Sequence, residues 1–286
     1  MIRFAFVFIF VCSIVTADEP LIDGDGNTYP VVRVGEQLWM AENLRTTSMI
    51  DGTPITENEF GSNWNEANFT VPKYQWAATS DLAGNYEMEL PFDFYGAVYN
   101  EAAVLSGQLV PAGWRLPSIE DINQLRDAIA NDGHVGNEGT ALKAVEHWFD
   151  GTPGTDIYGF NALPAGYVAS TGGATGAPIV CHWATSEADT PQTPGAARTV
   201  FCLTAFDTGL PTFQNSILLG AGIRFVKDVA DILIGDVNCD GAINLLDVDP
   251  FVDSISNGDF NPAADINQDG KVDLLDVGPF VALLAG

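Results

Sequence analysis

Pro111-Ala-Gly-Trp114-Arg-Leu-Pro117-Ser118-Ile-Glu-Asp121-Ile122 is the stretch on which the fold turns. Prolines bracket the loop, and Ser118 followed by Asp121 three residues later makes a capping-box pattern that opens a helix. Ile122, Leu125, Ala128 and Ile129 then fall on one face. A second, shorter helix is predicted from Thr140 to about His147. To either side the chain reads as short strand-like runs broken by Gly, Pro, Asn and Asp. Val31 to Leu44 reads as two strands around a turn at Gly35, and Asp23-Gly-Asp25-Gly-Asn27 as a hairpin turn rather than a metal loop. Helices clustered mid-chain among short strands predict an α+β domain over residues 21–228.

The C-terminal segment has a different grammar. Asp236-Val-Asn238-Cys-Asp240-Gly241-Ala242-Ile-Asn244-Leu-Leu-Asp247 is repeated 29 residues later as Asp265-Ile-Asn267-Gln-Asp269-Gly270-Lys271-Val-Asp273-Leu-Leu-Asp276. Both copies run into Val-x-Pro-Phe-Val. Calcium takes six to eight oxygens from carboxylates, amides and backbone carbonyls. Positions 1, 3 and 5 (Asp236, Asn238, Asp240; Asp265, Asn267, Asp269) would supply side-chain oxygens. Position 7 (Ala242, Lys271) would supply a carbonyl, position 9 (Asn244, Asp273) a contact often made through water, and position 12 (Asp247, Asp276) the closing carboxylate. Two calcium ions are expected. The second loop carries four carboxylates against three in the first, so it should bind more tightly. The bland alternative is a pair of Asx turns. Gly235 and Asn261-Pro262 precede the loops, so each unit is a loop followed by a helix.

This duplicated loop–helix pattern resembles the dockerin type I module, over 235–286 with a linker at 229–234. The resemblance implies a small all-α domain folded around calcium. It also implies a cohesin-like or other protein partner that contacts loop positions 10 and 11. Those positions are Leu245-Leu246 and Leu274-Leu275. Many dockerins carry hydroxyl or small residues there. The leucines either form a two-fold docking surface or pack between the two helices.

Residues 1–17, one Arg followed by an apolar run ending at Ala17, read as a signal peptide, which predicts a secreted or surface-exposed bacterial protein. A net charge of −27 argues against nucleic acid and anionic membranes as partners. Beyond the leader stand Cys181, Cys202 and Cys239. Cys181 and Cys202 could bridge neighbouring strands or stay free, and Cys239 occupies a non-ligand loop position.

Within 21–228, several motifs occur in order: Trp39-Met-Ala-Glu-Asn43-Leu, Asp51-Gly-Thr-Pro-Ile55, Tyr95-Gly-Ala-Val-Tyr99-Asn and Gly113-Trp-Arg-Leu-Pro117-Ser. Gly159-Phe-Asn-Ala-Leu-Pro164-Ala-Gly166-Tyr, His182-Trp-Ala-Thr-Ser186-Glu187 and Gly222-Ile-Arg224-Phe-Val-Lys-Asp228 follow. Together they resemble the Fibrobacter succinogenes major paralogous domain, and that resemblance implies a C-type-lectin-like fold. Nucleophile-elbow, phosphate-loop, zinc-protease and dinucleotide patterns are absent from the sequence. His134, His147 and His182 lack metal spacing. The calcium-dependent sugar motifs of C-type lectins are also missing. The reading is a non-catalytic binding or adhesion domain, with polysaccharide as a candidate ligand, carried on a docking tail. The alternative is a polysaccharide-degrading component, for which Glu187, Asp189 and Glu42 are the candidate carboxylates.

Overall fold

The computed structural model describes residues 21–59, 64, 69–77, 90–149, 154–190, 193–228, 233–238, 242–257 and 261–285. The leader at 1–17, most of the linker, Cys239 and Asp240 lie outside the described residues. The chain divides into two compact units, one spanning Pro20–Asp228 and one holding the C-terminal segment from Val229.

The larger unit is α+β. A hairpin of β1 (Leu21–Ile22) and β2 (Thr28–Tyr29) closes on Asp23, whose carboxylate accepts from the Asp25 and Asn27 amides and the Tyr29 hydroxyl. β3 (Val31–Val34) and β4 (Gln37–Met40) turn at Gly35 with φ +59. Only glycine fits there, because an added Cβ would stand 2.7 Å from the Ala128 side chain. A second sheet has β5 (Thr56–Glu57) parallel to β6 (Lys73–Trp76), which pairs antiparallel with β7 (Ala97–Tyr99). Helix α1 (Glu101–Leu105) follows, capped by Asn100.

Helix α2 spans Ile119–Ile129, and the Ser118–Asp121 capping box is present with both reciprocal bonds. Ile122, Leu125 and Ile129 are buried in the core, with Ala128 packed against it. Asp121 does more than cap. It accepts from Arg115 at 2.6 Å and from Gln37 at 3.0 Å, and Arg115 also reaches Asp228 at 2.6 Å. Burial raises the Asp121 pKa, but bonds from Arg115 and Ser118 outweigh it and hold the carboxyl below its ordinary value.

The second helix is shorter than its sequence pattern. α3 covers Glu138–Leu142 and stops where Lys143 turns extended. The reason is tertiary. The Lys143 ammonium donates to the carbonyls of Thr204 and Asp207 at 2.8 and 2.7 Å, and its backbone bridges Ala162. His147 therefore lies in a loop at φ 73, not on a helix.

β8 (Tyr167–Val168) and β9 (Ala174–Thr175) form a small hairpin, and β10 (Val180–Ala188), β11 (Ala197–Thr204) and β12 (Thr212–Ser216) form the largest meander. Cys181 pairs across from Leu203 and Cys202 across from His182. Neighbouring residues on a strand face opposite ways, so the two thiols project from opposite faces of the sheet and cannot bridge. Both are free and buried, which resolves the disulfide question against a bond. The last strand, β13 (Val226–Asp228), returns to β4 in the order β13-β4-β3.

The core is aromatic. Trp183 stacks on Phe201 at 5.0 Å, and Trp39 packs on Phe160 and Phe201. Into this core reaches Arg224, fully buried. Its guanidinium donates to Asn43 Oδ1 (2.9 Å) and to the carbonyls of Met40, Phe160 and Asn161, and it lies 4.5 Å from the Phe160 ring centre. Burial lowers its pKa to about 10.

The C-terminal unit holds α4 (Val248–Asn257) and α5 (Val277–Ala285), each preceded by its loop. Phe251 and Phe280, equivalent in the repeat, stack at 4.0 Å over Val237 and Ala264. Among the described residues no helix is long and apolar enough to cross a membrane.

Two outcomes follow for the larger unit. Arg224→Met strands buried carbonyl acceptors and should cost about 3–5 kcal/mol. Arg224→Lys should also destabilise, because an ammonium lacks the planar fork. A denaturant midpoint for Arg224→Met equal to that of the wild type would refute this role. His182, whose pKa burial pushes down from 6.5 to about 4, takes up its proton later in the folded state than in the unfolded chain. Its stability contribution is present above pH 6.5 and is lost as pH falls towards 4, by about 3 kcal/mol. In His182→Gln, the drop in urea midpoint between pH 7 and pH 4 should shrink; an unchanged drop would count against it.

Candidate calcium loops, docking leucines and a polar cleft

The two C-terminal loops keep their register down to single hydrogen bonds. Asp247 accepts from the Asn238 and Asn244 amides at 2.9 and 2.8 Å, and Asp276 from the Asn267 and Asp273 amides at 3.0 and 2.9 Å. Position 9 caps the turn that follows, Asn244 accepting from Leu246 N and Asp273 from Leu275 N. Positions 1 and 12 are buried in both loops, whereas Asn267, Asp269, Lys271 and Ala242 are exposed and Asn238, Asn244 and Asp273 half-buried. Gly270 adopts φ 84, as position 6 requires.

The donor set fits a hard cation in kind. All the side-chain donors are oxygens, and Asp247 and Asp276 are fully buried with backbone amides as their hydrogen-bond donors among the described residues. A carboxylate oxygen offers two acceptor positions, so each oxygen of these aspartates keeps one for a metal. The fit in geometry is looser. Among the described residues no three acidic, imidazole or thiol groups are gathered as a metal centre. Asp269 accepts instead from the Asn267 side chain and the Lys271 amide, at 3.1 and 3.0 Å. An ion in this loop would draw the Asp269 carboxylate off Asn267.

The leucine pairs face outward. Leu245 and Leu246 are 79% and 67% exposed, Leu274 and Leu275 77% and 67%. The option that they pack between the helices is overturned, because Phe251 and Phe280 already fill that space. At helical spacing from the outer leucines stand the exposed Val252 in the first repeat and the exposed Val277 and Val281 in the second, while Val248 packs against the small core.

In the larger unit the histidines lie in separate elements: His134 ends a turn after α2, His147 is in a loop, and His182 is in β10. Glu187 accepts from Ile119 N at 3.0 Å, serving the start of α2, and Asp189 accepts from Ala197 N at 3.0 Å, closing the β10–β11 hairpin. Neither lines the cleft that Glu42 borders. That cleft, of ≈ 380 Å³, is bounded by Glu42, Asn43, Arg45, Asp93, Phe94, His147 and Asn161, among others. Glu42 is ion-paired to Arg45 at 2.7 Å. No local sequence pattern reveals this cleft, because its residues come from four distant segments, around positions 42, 93, 147 and 161. Three of its lining residues, Gly96 (φ 78), His147 (φ 73) and Asn161 (φ 50), take positive φ.

A family model described as the Fibrobacter succinogenes major domain matches residues 32–204. The chain belongs to that family. The match covers more than half of the 286 residues. No curated protein and no solved structure matches the chain. The matched range of the major domain contains every cleft residue named above, while Arg224 and both C-terminal loops lie beyond it.

All six tryptophans lie in the larger unit, so the two units can be followed separately. Chelator should lower the helical circular dichroism contributed by α4 and α5 and leave tryptophan fluorescence unchanged. In Asp247→Asn/Asp276→Asn the calcium midpoint for regaining that signal should rise at least about tenfold. A helical signal indifferent to chelator would remove the calcium assignment.

Proposed function

We propose that this is a secreted, non-catalytic binding protein of the bacterial exterior, fixed to a larger assembly through its C-terminal tail. The observation that carries the reading is the matched exposure of the two leucine pairs, each seated on a loop whose first and last aspartates are buried. Exposed apolar side chains in a symmetric patch mark an interaction surface. The tail is read as a dockerin-type module: its loop–helix order, its small four-residue core and its acidic oxygen sets all support two structural calcium ions. The Gly113-Trp-Arg-Leu-Pro-Ser118 entry to α2 supports a C-type-lectin-like major domain. Residues 1–17 act as the export signal.

The partner is a cohesin-like module with an apolar recess where other such partners meet hydroxyl groups. The enzymatic alternative loses its two best carboxylates to structural duties, Glu187 at the start of α2 and Asp189 at the hairpin. Replacing all four leucines by serine in the full chain should weaken capture of a cohesin-type module by about a hundredfold or more. Chelator should abolish capture of the unmodified chain. Equal capture by the serine variant would refute the docking surface.

A further inference from the structure

The cleft in the major domain is built in advance of any ligand. Asn43 is locked from three sides: it accepts from Trp183 Nε1 at 2.7 Å and Arg224 Nε at 2.9 Å, and donates to the Tyr95 carbonyl at 2.9 Å. Asn161 is held at φ 50 by its amide bond to Asp156 (2.7 Å) and its carbonyl bond from Arg224 (2.9 Å). His147, at φ 73, sets its ring 4.8 Å from Phe94. Non-glycine residues held at positive φ cost free energy and persist where the surroundings over-determine them, commonly at ligand clamps. Two of the five such residues among those described line this one cleft.

We infer that the cleft binds a sugar unit of a neutral polysaccharide. The volume suits a small ligand. The lining alternates hydrogen-bonding groups with flat apolar ones, as a pyranose presents hydroxyl edges and C–H faces. Asp93 and Glu42 can accept from hydroxyls, the Asn161 amide can donate and accept, and Phe94 and Leu163 offer apolar faces. Phe92, between the lining residues Pro91 and Asp93, is 65% exposed and sits edge-on to Trp76 at 5.0 Å. It provides an aromatic shelf for the next sugar along the chain. Charge argues against anionic ligands. Glu42 and Arg45 offset each other, which leaves Asp93 on a chain of net charge −27, hostile to phosphates and uronates. The mix of hydroxyl acceptors and apolar faces favours a neutral sugar over a cation, the competing class that the spermine arm of the test addresses.

This rests on reading the major domain as a binding module, and the test separates the two. The full-length protein is titrated calorimetrically with cellohexaose, xylohexaose and mannohexaose, and with polygalacturonate and spermine as charged probes. At least one neutral hexasaccharide should bind, without need of calcium. Asp93→Ala and Asn161→Gly, the latter compatible with φ 50, should each weaken it about tenfold or more with the thermal midpoint of the larger unit unchanged. Phe92→Ala should weaken the hexasaccharide but leave binding of the corresponding monosaccharide unchanged. Binding of charged probes alone, or of none, overturns the inference. Binding that the variants leave untouched also overturns it, while the binding-module reading stands. Cleavage of the sugar, lost with Asp93→Ala, would keep the cleft assignment and overturn the non-catalytic reading.

Discussion

A buried guanidinium organises the larger unit. Arg224 comes from the chain end of that unit, yet its donors reach the end of β4 at Met40, Asn43 just beyond it, and the loop at Phe160 and Asn161, while the guanidinium stands over the rings of Phe160 and Trp183. Every hydrogen-bond partner is a neutral oxygen. Taking a cation out of water without a hydrogen-bonded carboxylate is costly. The cost is offset only because five donors in a fixed fork match several carbonyl-type acceptors at once. Those acceptors must therefore stay where they are. This fixes the aromatic core on one side of the guanidinium and the cleft residues Asn43 and Asn161 on the other. Stability and site geometry share one constraint.

The C-terminal unit solves the opposite problem. Among the described residues its core is one small cluster, the Phe251–Phe280 pair with Val237 and Ala264, and it buries Asp247 and Asp276 among backbone amides. A unit this small normally needs a staple. Its acidic loops carry the groups to hold one, and the same loops push two leucine pairs into solvent. The residues proposed to close the calcium shell and those proposed for docking are consecutive, Asn244 to Asp247 and Asp273 to Asp276, so on that proposal one binding event would set both.

Much of this could be read in the sequence, and the failures have physical causes. The capping box at Ser118, the turn at Gly35 and the hairpin at Asp23 were legible because each is settled within a few residues. The loop repeat was legible because it occurs twice. The second helix was misjudged because the fate of Lys143 is decided by carbonyls at Thr204 and Asp207, some sixty residues away. The thiols stayed ambiguous until the strand register showed them on opposite faces. The leucines were ambiguous because helical spacing does not tell which face a phenylalanine pair will claim. The cleft was invisible because its walls come from around residues 42, 93, 147 and 161. Its members stand in unrelated sequence contexts, Glu42 as a candidate carboxylate, His147 as a histidine without metal spacing, Asn43 in one family motif, and Asn161 and Leu163 in another.

The return of β13 to β4 has a mechanical meaning. Tension applied to the chain beyond Asp228 enters the larger unit through a three-rung antiparallel pairing, Val226 with Trp39, Lys227 with Leu38 and Asp228 with Gln37. Arg115 braces the first point of pull by its bond to Asp228, and also bridges its backbone to Val226. Behind them Arg224 acts as a bolt through the core. A pull strong enough to peel the strand would next disturb the carbonyls around Asn161, so unloading and release of whatever the cleft holds would follow in that order.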